Sequence, residues 1–240
     1  MGVIRVAHRG ASAYAPENTI SAFRKAIEIG VDCIELDVHI CRSGEVIVMH
    51  DDTLDRTTNL SGKISEMTLE EIRRADAGAW FDEEFRDEPV PTLEEALEFI
   101  GDEAVTVVEV KDEWIAPQVV EIIERMKARE KVVVISFHPR VLKEIRDMGV
   151  PIPTGLLVGG KPQEDEISRA MRLLEIASGI GVGMISLDHH LVRPNLAYEV
   201  RRRGFGLWAW TVDEVDRMRK LIEIGVVGIT SNRPDLLNQI

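Results

Sequence analysis

Residues 27–38 read Ile27-Glu28-Ile29-Gly30-Val31-Asp32-Cys33-Ile34-Glu35-Leu36-Asp37-Val38. A helical pattern that began at Thr19 ends at Ile29, a glycine stands where a left-handed C-cap belongs, and a β-rich segment, Cys33–Val38, follows. That segment is apolar except for Glu35 and Asp37, which share one face under the two-residue period of a strand. Near the other end of the chain Ile222-Glu223-Ile224-Gly225-Val226 repeats the opening of the stretch, again between a helical pattern and a β-rich one. Five matching residues are weak evidence for duplication but fair evidence that two units solve one packing problem.

The same alternation extends in both directions. Val3–Ala7, Thr106–Val110, Val132–Ser136, Thr154–Val158, Met184–Leu187, Gly206–Trp210 and Val227–Thr230 are further strand candidates. Most are continuously apolar, as strands of a parallel sheet covered on both faces are. Helical patterns lie between them at Thr92–Ile100, Trp114–Arg129, Arg140–Met148, Glu166–Ser178, Asn195–Arg203 and Glu214–Ile224. Gly149, Gly181, Gly204 and Gly225 precede strands as Gly30 does, and Pro117, Pro139 and Pro194 fall near helix starts, where a missing N–H costs nothing. Strands alternating with helices predict βα units, and eight of them predict a (β/α)8 TIM barrel, with an open doubly wound sheet as the rival. Val46–Met49 breaks the alternation, since the seven residues between it and Val38 are too few for a crossover helix. It is expected to pair locally as a hairpin through Arg42-Ser43-Gly44. Residues 51–91 then form a small insertion after the second barrel strand, with a short helix near Leu69–Ala75 and a Trp80/Phe81/Phe85 cluster that packs over the barrel mouth or against its flank. The expectation is a single domain over residues 1–240 with the 51–91 insertion within it.

Composition narrows the function. The 240 residues are 45% hydrophobic and 30% charged, and 42 acidic residues against 29 Lys and Arg give a net charge of -13. A fold-wide basic surface for nucleic acid is excluded, although a local basic pocket is not. Apolar runs stop at five or six residues, against the roughly 18 that span a bilayer, so no stable membrane insertion is expected. Two cysteines, Cys33 and Cys41, make neither a disulfide framework nor a Cys-based zinc site. The first residues read as a strand rather than a signal peptide, which predicts a cytoplasmic protein. Nothing in the sequence signals an oligomeric state.

Catalytic groups of such barrels gather at the C-terminal ends of the strands. There the sequence has His8-Arg9-Gly10, Glu35-Leu36-Asp37, His50-Asp51-Asp52 on the rim strand, and Glu109-Val110-Lys111. Three carboxylates converging without a cation repel one another and lose hydration. All-oxygen ligation predicts a hard divalent ion, magnesium or calcium with manganese allowed, held by Glu35, Asp37 and Glu109. The competing reading is a buried ion network of these acids with Arg9 and Lys111. A metal beside Arg9 and Lys111 suits a phosphate oxyanion, and His8 and His50 can divide the proton work of expelling an alkoxide. Trp210 and Phe137 are candidate walls of the substrate pocket. His138 reads as a rim or helix-start residue, and Asp188-His189-His190 reads as a strand end whose adjacent histidines point opposite ways, against a second metal.

These motifs, together with Ala15-Pro16-Glu17-Asn18-Thr19, Asp52-Thr53-Leu54-Asp55-Arg56-Thr57-Thr58, Pro91-Thr92-Leu93-Glu94-Glu95, Ser136-Phe137 and Trp210-Thr211-Val212, resemble the glycerophosphodiester phosphodiesterase family of phospholipase-C-like barrels. The resemblance covers nearly the whole chain. It implies hydrolysis of a small-molecule glycerophosphodiester to glycerol 3-phosphate and an alcohol, with a divalent cation on Glu35, Asp37 and Glu109. It makes His8 and His50 the acid–base pair and has Arg9 and Lys111 hold the phosphate. A lysophospholipase D or phospholipase on lipid phosphodiesters is the enzymatic alternative, and a silent phosphate-binding barrel the non-enzymatic one. One departure stands out: the family commonly carries an acid where this chain has Asn232, and often another at Val227. The amide can hydrogen-bond but brings no charge.

Overall fold

The strands form nearly where the pattern puts them. The computed structural model describes residues 2–160 and 165–240. Its strands are β1 (Ile4–Ala7), β2 (Cys33–Ile40), the short β3 (Val46–Val48), β4 (Val105–Val110), β5 (Val132–Ser136), β6 (Thr154–Val158), β7 (Met184–Asp188), β8 (Gly206–Trp210) and β9 (Gly228–Ser231). The helices are α1 (Ile20–Ile29), α2 (Leu69–Ile72), α3 (Leu93–Ile100), α4 (Ala116–Arg125), α5 (Pro139–Asp147), α6 (Glu166–Ile180), α7 (Pro194–Arg201) and α8 (Val215–Glu223). All strands but β3 run parallel in one ring, β1-β2-β4-β5-β6-β7-β8-β9. The ring closes because β1 pairs on one side with β2 and on the other with β9, Ala7 opposite Ser231. Closure rules out the open-sheet rival.

The near-continuous apolar strands follow from this geometry. Outward residues such as Ile34, Leu36 and Val38 are covered by helices, while Val6, Cys33, Val107, Ile135, Leu157, Met184 and Trp208 fill the barrel interior. Helix ends obey local chemistry. Thr19 accepts a hydrogen bond from Ala22 N at the start of α1, and Gly30 ends that helix at φ 79°. Helix α3 opens on a Thr92–Glu95 capping box. Helix α4 is shorter than its pattern because Pro117 fixes its first turn and Lys127 takes a left-handed φ of 55° beyond its end. A 3-10 segment, Pro234–Gln239, stands where an eighth barrel helix would follow β9, and buries Leu237.

The expected hairpin is present, with β3 antiparallel to β2. Beyond it the insertion builds a small core of its own around Ile47, Leu54, Ile64, Ile72 and Val90. It is tied to the barrel by Glu88, which accepts hydrogen bonds from Ser21 N (3.0 Å) and Ser21 Oγ (2.7 Å) in the first turn of α1. Phe81 packs edge-to-face against both Trp80 and Phe85. Among the described residues no helix is long and apolar enough to cross a membrane.

Candidate active site

The strands deliver their C-terminal residues to a cavity of about 180 Å³ at one end of the barrel. Its walls include His8, Arg9, Glu35, His50, Glu109, Lys111, Phe137 and Trp210 but none of Trp80, Phe81 and Phe85. Asp37 is wholly buried beside this wall. Parallel register explains the convergence: Asp37 lies opposite Glu109 across β2 and β4, so their side chains share a face. Strand β1 brings His8 alongside, and the turn after it is tight. Arg9 sits at φ 55°, an uncommon conformation for a non-glycine residue. Its backbone N–H thereby donates to Glu35 Oε2 at 2.9 Å.

Charge dominates the polar wall. Arg9 lies 3.2 Å from Asp37 Oδ2 and 2.8 Å from Glu17 Oε1. Lys111 Nζ lies 2.9 Å from Asp37 Oδ1 and 2.5 Å from Glu109 Oε1. The ion network of the competing reading therefore exists. Even so, Glu35, Asp37 and Glu109 carry one negative charge more than Arg9 and Lys111 neutralise. The imbalance is visible in their titration. Burial opposes ionisation of Asp37, but Lys111 and Arg9 outweigh it and hold the carboxyl below its usual range. Burial and the neighbouring Asp37 charge push Glu109 up to about 7, and push Glu35 well above the ordinary carboxylate range.

The donor set fits a divalent cation. One oxygen from each of Glu35, Asp37 and Glu109 lies within 4.8 Å of the others, a span that one ion bonding at roughly 2.0–2.6 Å can bridge. Asp37 Oδ1 and Glu109 Oε1 are buried and face Lys111 Nζ without a well-formed hydrogen bond, so a cation held there would share these oxygens with the ammonium group. The all-carboxylate chemistry matches the magnesium, calcium and manganese class.

The two histidines are held differently. His50 Nδ1 lies 2.6 Å from Asp51 Oδ1, and Asp51 is clasped by Arg56. His8 Nδ1 lies 2.7 Å from Asn232 Oδ1. Asn232 in turn donates from Nδ2 to Asp213 Oδ2 at 2.7 Å. Both acceptors only accept, so each Nδ1 carries hydrogen and each Nε2 is left with its lone pair when the ring is neutral. Burial and the adjacent Arg9 push His8 down to about 4. Burial, with Lys111 and Arg9, also lowers His50, while Asp37 and Asp51 partly restore it.

The opposite wall is apolar. Val107, Ile135, Leu157 and Trp208 form its floor, and Trp210 stacks edge-to-face on Phe137 at 5.5 Å. Trp208 packs inward, and Gly228 makes room for it: a Cβ there would lie 2.6 Å from the indole ring. His138 is a helix-start residue, the N-cap of α5, and lies 3.1 Å from Glu113. The second histidine pair corrects an expectation. Residues His189–Leu191 form a 3-10 turn rather than strand, so the two rings meet at 3.9 Å. Asp188, His189 and His190 thereby bring one ligand atom each within 4.8 Å of one another, while Arg217 donates to His189 Nδ1 at 3.2 Å, a guanidinium that would oppose a cation there.

Sequence reasoning missed His39 and Asp213. His39 bridges Asp112 (3.2 Å) and the His50 carbonyl (3.1 Å); its place two residues after Asp37 on the same strand face was the available signal. Asp213 lies three residues beyond the end of β8, whereas Lys111 directly follows β4, and a strand-end rule widened to the following loop could have found it.

The sequence model of the glycerophosphoryl diester phosphodiesterase family matches residues 8–236. The chain belongs to that family. Among curated members, the glycerophosphodiester phosphodiesterase of Caldanaerobacter subterraneus subsp. tengcongensis is 35% identical, covering 99% of this chain and 97% of its own. One from Bacillus subtilis is 32% identical, covering 99% and 86%. Among solved structures, a glycerophosphodiester phosphodiesterase from Agrobacterium tumefaciens superposes with a TM-score of 0.86 at 28% identity, covering all of both chains. A phosphodiesterase from Oleispira antarctica, solved with its product sn-glycerol-3-phosphate, superposes with a TM-score of 0.90 at 25% identity, covering 99% of this chain and 96% of its own. This family member thus shares one barrel, end to end, with its relatives.

Proposed function

We propose that the protein hydrolyses glycerophosphodiesters to glycerol 3-phosphate and an alcohol, working as one domain with the 51–91 insertion built into it. The observation that carries this reading is the cavity in which two Nδ1-anchored histidines face a cluster of three carboxylates and two cationic side chains. A divalent ion held by Glu35, Asp37 and Glu109 would supply Lewis-acid stabilisation of negative charge on the phosphate. Arg9 and Lys111 bind the nonbridging oxygens and offset charge that grows as phosphorus becomes five-coordinate. His8, neutral and with Nε2 free, takes the proton from the nucleophile. His50 gives the departing alkoxide its proton from the imidazolium form, which the Asp51 carboxylate stabilises against the burial and the cationic neighbours that disfavour it. Trp210 and Phe137 pack against the organic part of the substrate and exclude water.

A lipid substrate is the second reading, favoured by one observation: Trp114 is 69% exposed and Phe137 42% exposed, on neighbouring loops joined by the Glu113–His138 pair. The small cavity favours soluble diesters.

The test is release of glycerol 3-phosphate from glycerophosphocholine and glycerophosphoethanolamine by metal-stripped protein, with magnesium, calcium or manganese restored singly. Turnover that returns with a divalent ion and is lost in His8→Ala and Glu35→Ala proteins of native circular dichroism is the expected result. A folded, metal-replete protein that leaves these diesters intact but removes the headgroup from a lysophospholipid would favour the lipid reading. Inactivity on both classes would leave a phosphate-binding barrel.

A further inference from the structure

The pairing of His8 with an amide raises a question that the pairing of His50 with a carboxylate does not. An amide has a donor end and an acceptor end, and which end faces the imidazole decides which ring nitrogen is free. We propose that Asp213 is a positioning residue that sets the tautomer of His8 by fixing the orientation of the Asn232 amide between them. This inference rests on the reading above, in which His8 transfers a proton.

The geometry leaves the amide one orientation. Asp213 accepts three hydrogen bonds: Ser231 Oγ (2.8 Å) and Asn232 N (2.8 Å) at Oδ1, and Asn232 Nδ2 (2.7 Å) at Oδ2. A carboxylate donates nothing, so the NH2 end of Asn232 must face it. The carbonyl end then faces His8, where it accepts from Nδ1–H at 2.7 Å and from Ser12 Oγ at 2.9 Å. The imidazole proton is thereby placed on Nδ1 and the lone pair on Nε2. The negative charge that an acid at position 232 would bring is present, one hydrogen bond further from the ring, on a residue 19 positions earlier in the chain.

Asp213→Asn would reverse this chain of bonds. The new amide has one acceptor oxygen for three converging donors, and that oxygen is retained by Ser231 Oγ and Asn232 N. Its NH2 group then faces Asn232, which must turn its carbonyl toward it and its own NH2 toward His8. The ring answers with hydrogen on Nε2, the wrong nitrogen for accepting a substrate proton. Replacing the carboxylate behind a catalytic histidine by an amide acts this way in serine proteases, at a cost of about 10⁴ in kcat. The double substitution Asp213→Asn with Asn232→Asp repairs the pattern. A carboxylate then meets His8 Nδ1–H directly, and the amide at 213 keeps an acceptor for the backbone and a donor for the new acid.

The test reads the tautomer by 15N histidine NMR on metal-free protein at neutral pH, without substrate, and then kcat and KM with glycerophosphocholine. The expected wild-type signal is Nδ1–H for His8. Asp213→Asn is expected to convert it to Nε2–H and lower kcat by about 10²–10⁴-fold with little change in KM, and the double variant to recover both. An Nε2–H signal in wild type, a measurement that requires no variant to fold, overturns the proposal. So does an unchanged tautomer in Asp213→Asn, or a double variant with the tautomer restored but kcat still at the single-variant level. The spectra judge Asp213 even if no diester is turned over, so failure of the functional reading would be seen separately in the His8→Ala kinetics.

Discussion

Gly10 carries the turn that presents His8 and Arg9, with φ +81° and its α-carbon pressed against α1. A Cβ there would lie 2.6 Å from both the backbone carbon and the Cβ of Ala22. Gly10→Ala is therefore expected to lower stability by about 1–3 kcal/mol, read as a lower denaturation midpoint, and to cost activity beyond that because the turn itself must shift. At this scale the sequence was informative where chemistry is local. The charged residues at strand ends were legible from their two-residue spacing, and the structure brings all nine candidate residues to one cavity or its wall. Contacts set by register between distant strands were not legible. Asn232 could be seen only as a missing acid, because its link to Asp213 depends on the ends of β8 and β9 lying side by side. His39, on the same face as Asp37, was open to the same two-residue rule and was passed over.

Among elements, the most informative junction is that between the insertion and α1. Glu88 satisfies the Ser21 N–H at the helix start and takes the Ser21 hydroxyl as well. It also places an acid at the positive end of the helix. Glu88→Ala should cost about 1 kcal/mol and speed amide hydrogen exchange in the first turn of α1 and in residues 51–91 while sparing α6. Exchange rising equally in all three would mean that Glu88 supports the fold as a whole rather than this junction. Helices and barrel strands were legible because each has a period and a stop: Thr92 opening α3, Gly30 closing α1, Pro117 fixing the start of α4. Inside the insertion only the short helix expected near Leu69–Ala75 was legible, and it forms as α2 (Leu69–Ile72). The 3-10 turns at Ile64–Glu66 and Glu83–Phe85 are too short to leave a period, and the side on which the aromatics would pack could not be read from composition.

For the molecule as a whole, the pH dependence of stability sets buried acids against buried histidines. Glu109 titrates near 7 in the folded chain against about 4.3 unfolded, and Glu35 is shifted the same way. These two acids bind more protons folded than unfolded between those values and make stability fall as pH rises, while His8, held near 4 in the fold, and His50, also lowered, make it rise over much of the same window. Substitution isolates the acid's share: metal-free Glu109→Gln is expected to gain melting temperature over the unsubstituted protein, and to gain more at pH 7.5 than at pH 5. A divalent ion should raise the melting temperature of the unsubstituted protein more at pH 7.5, since binding must displace those protons, and Glu109→Gln should blunt that gain. An equal effect of Glu109→Gln at the two pH values would mean that Lys111 and Arg9 already neutralise the cluster. Closure of the barrel was legible from the count of eight βα units, although the β1–β9 pairing that joins the first strand to the last is recorded by no local pattern. That seam also sets a clock. His8 leaves the ribosome 224 residues before the Asn232 that orients it, an interval of about 10–45 s at ordinary elongation rates. Throughout it the nascent chain carries its first histidine without the amide that fixes its tautomer, so an unfinished or prematurely released copy lacks the arrangement proposed for the base.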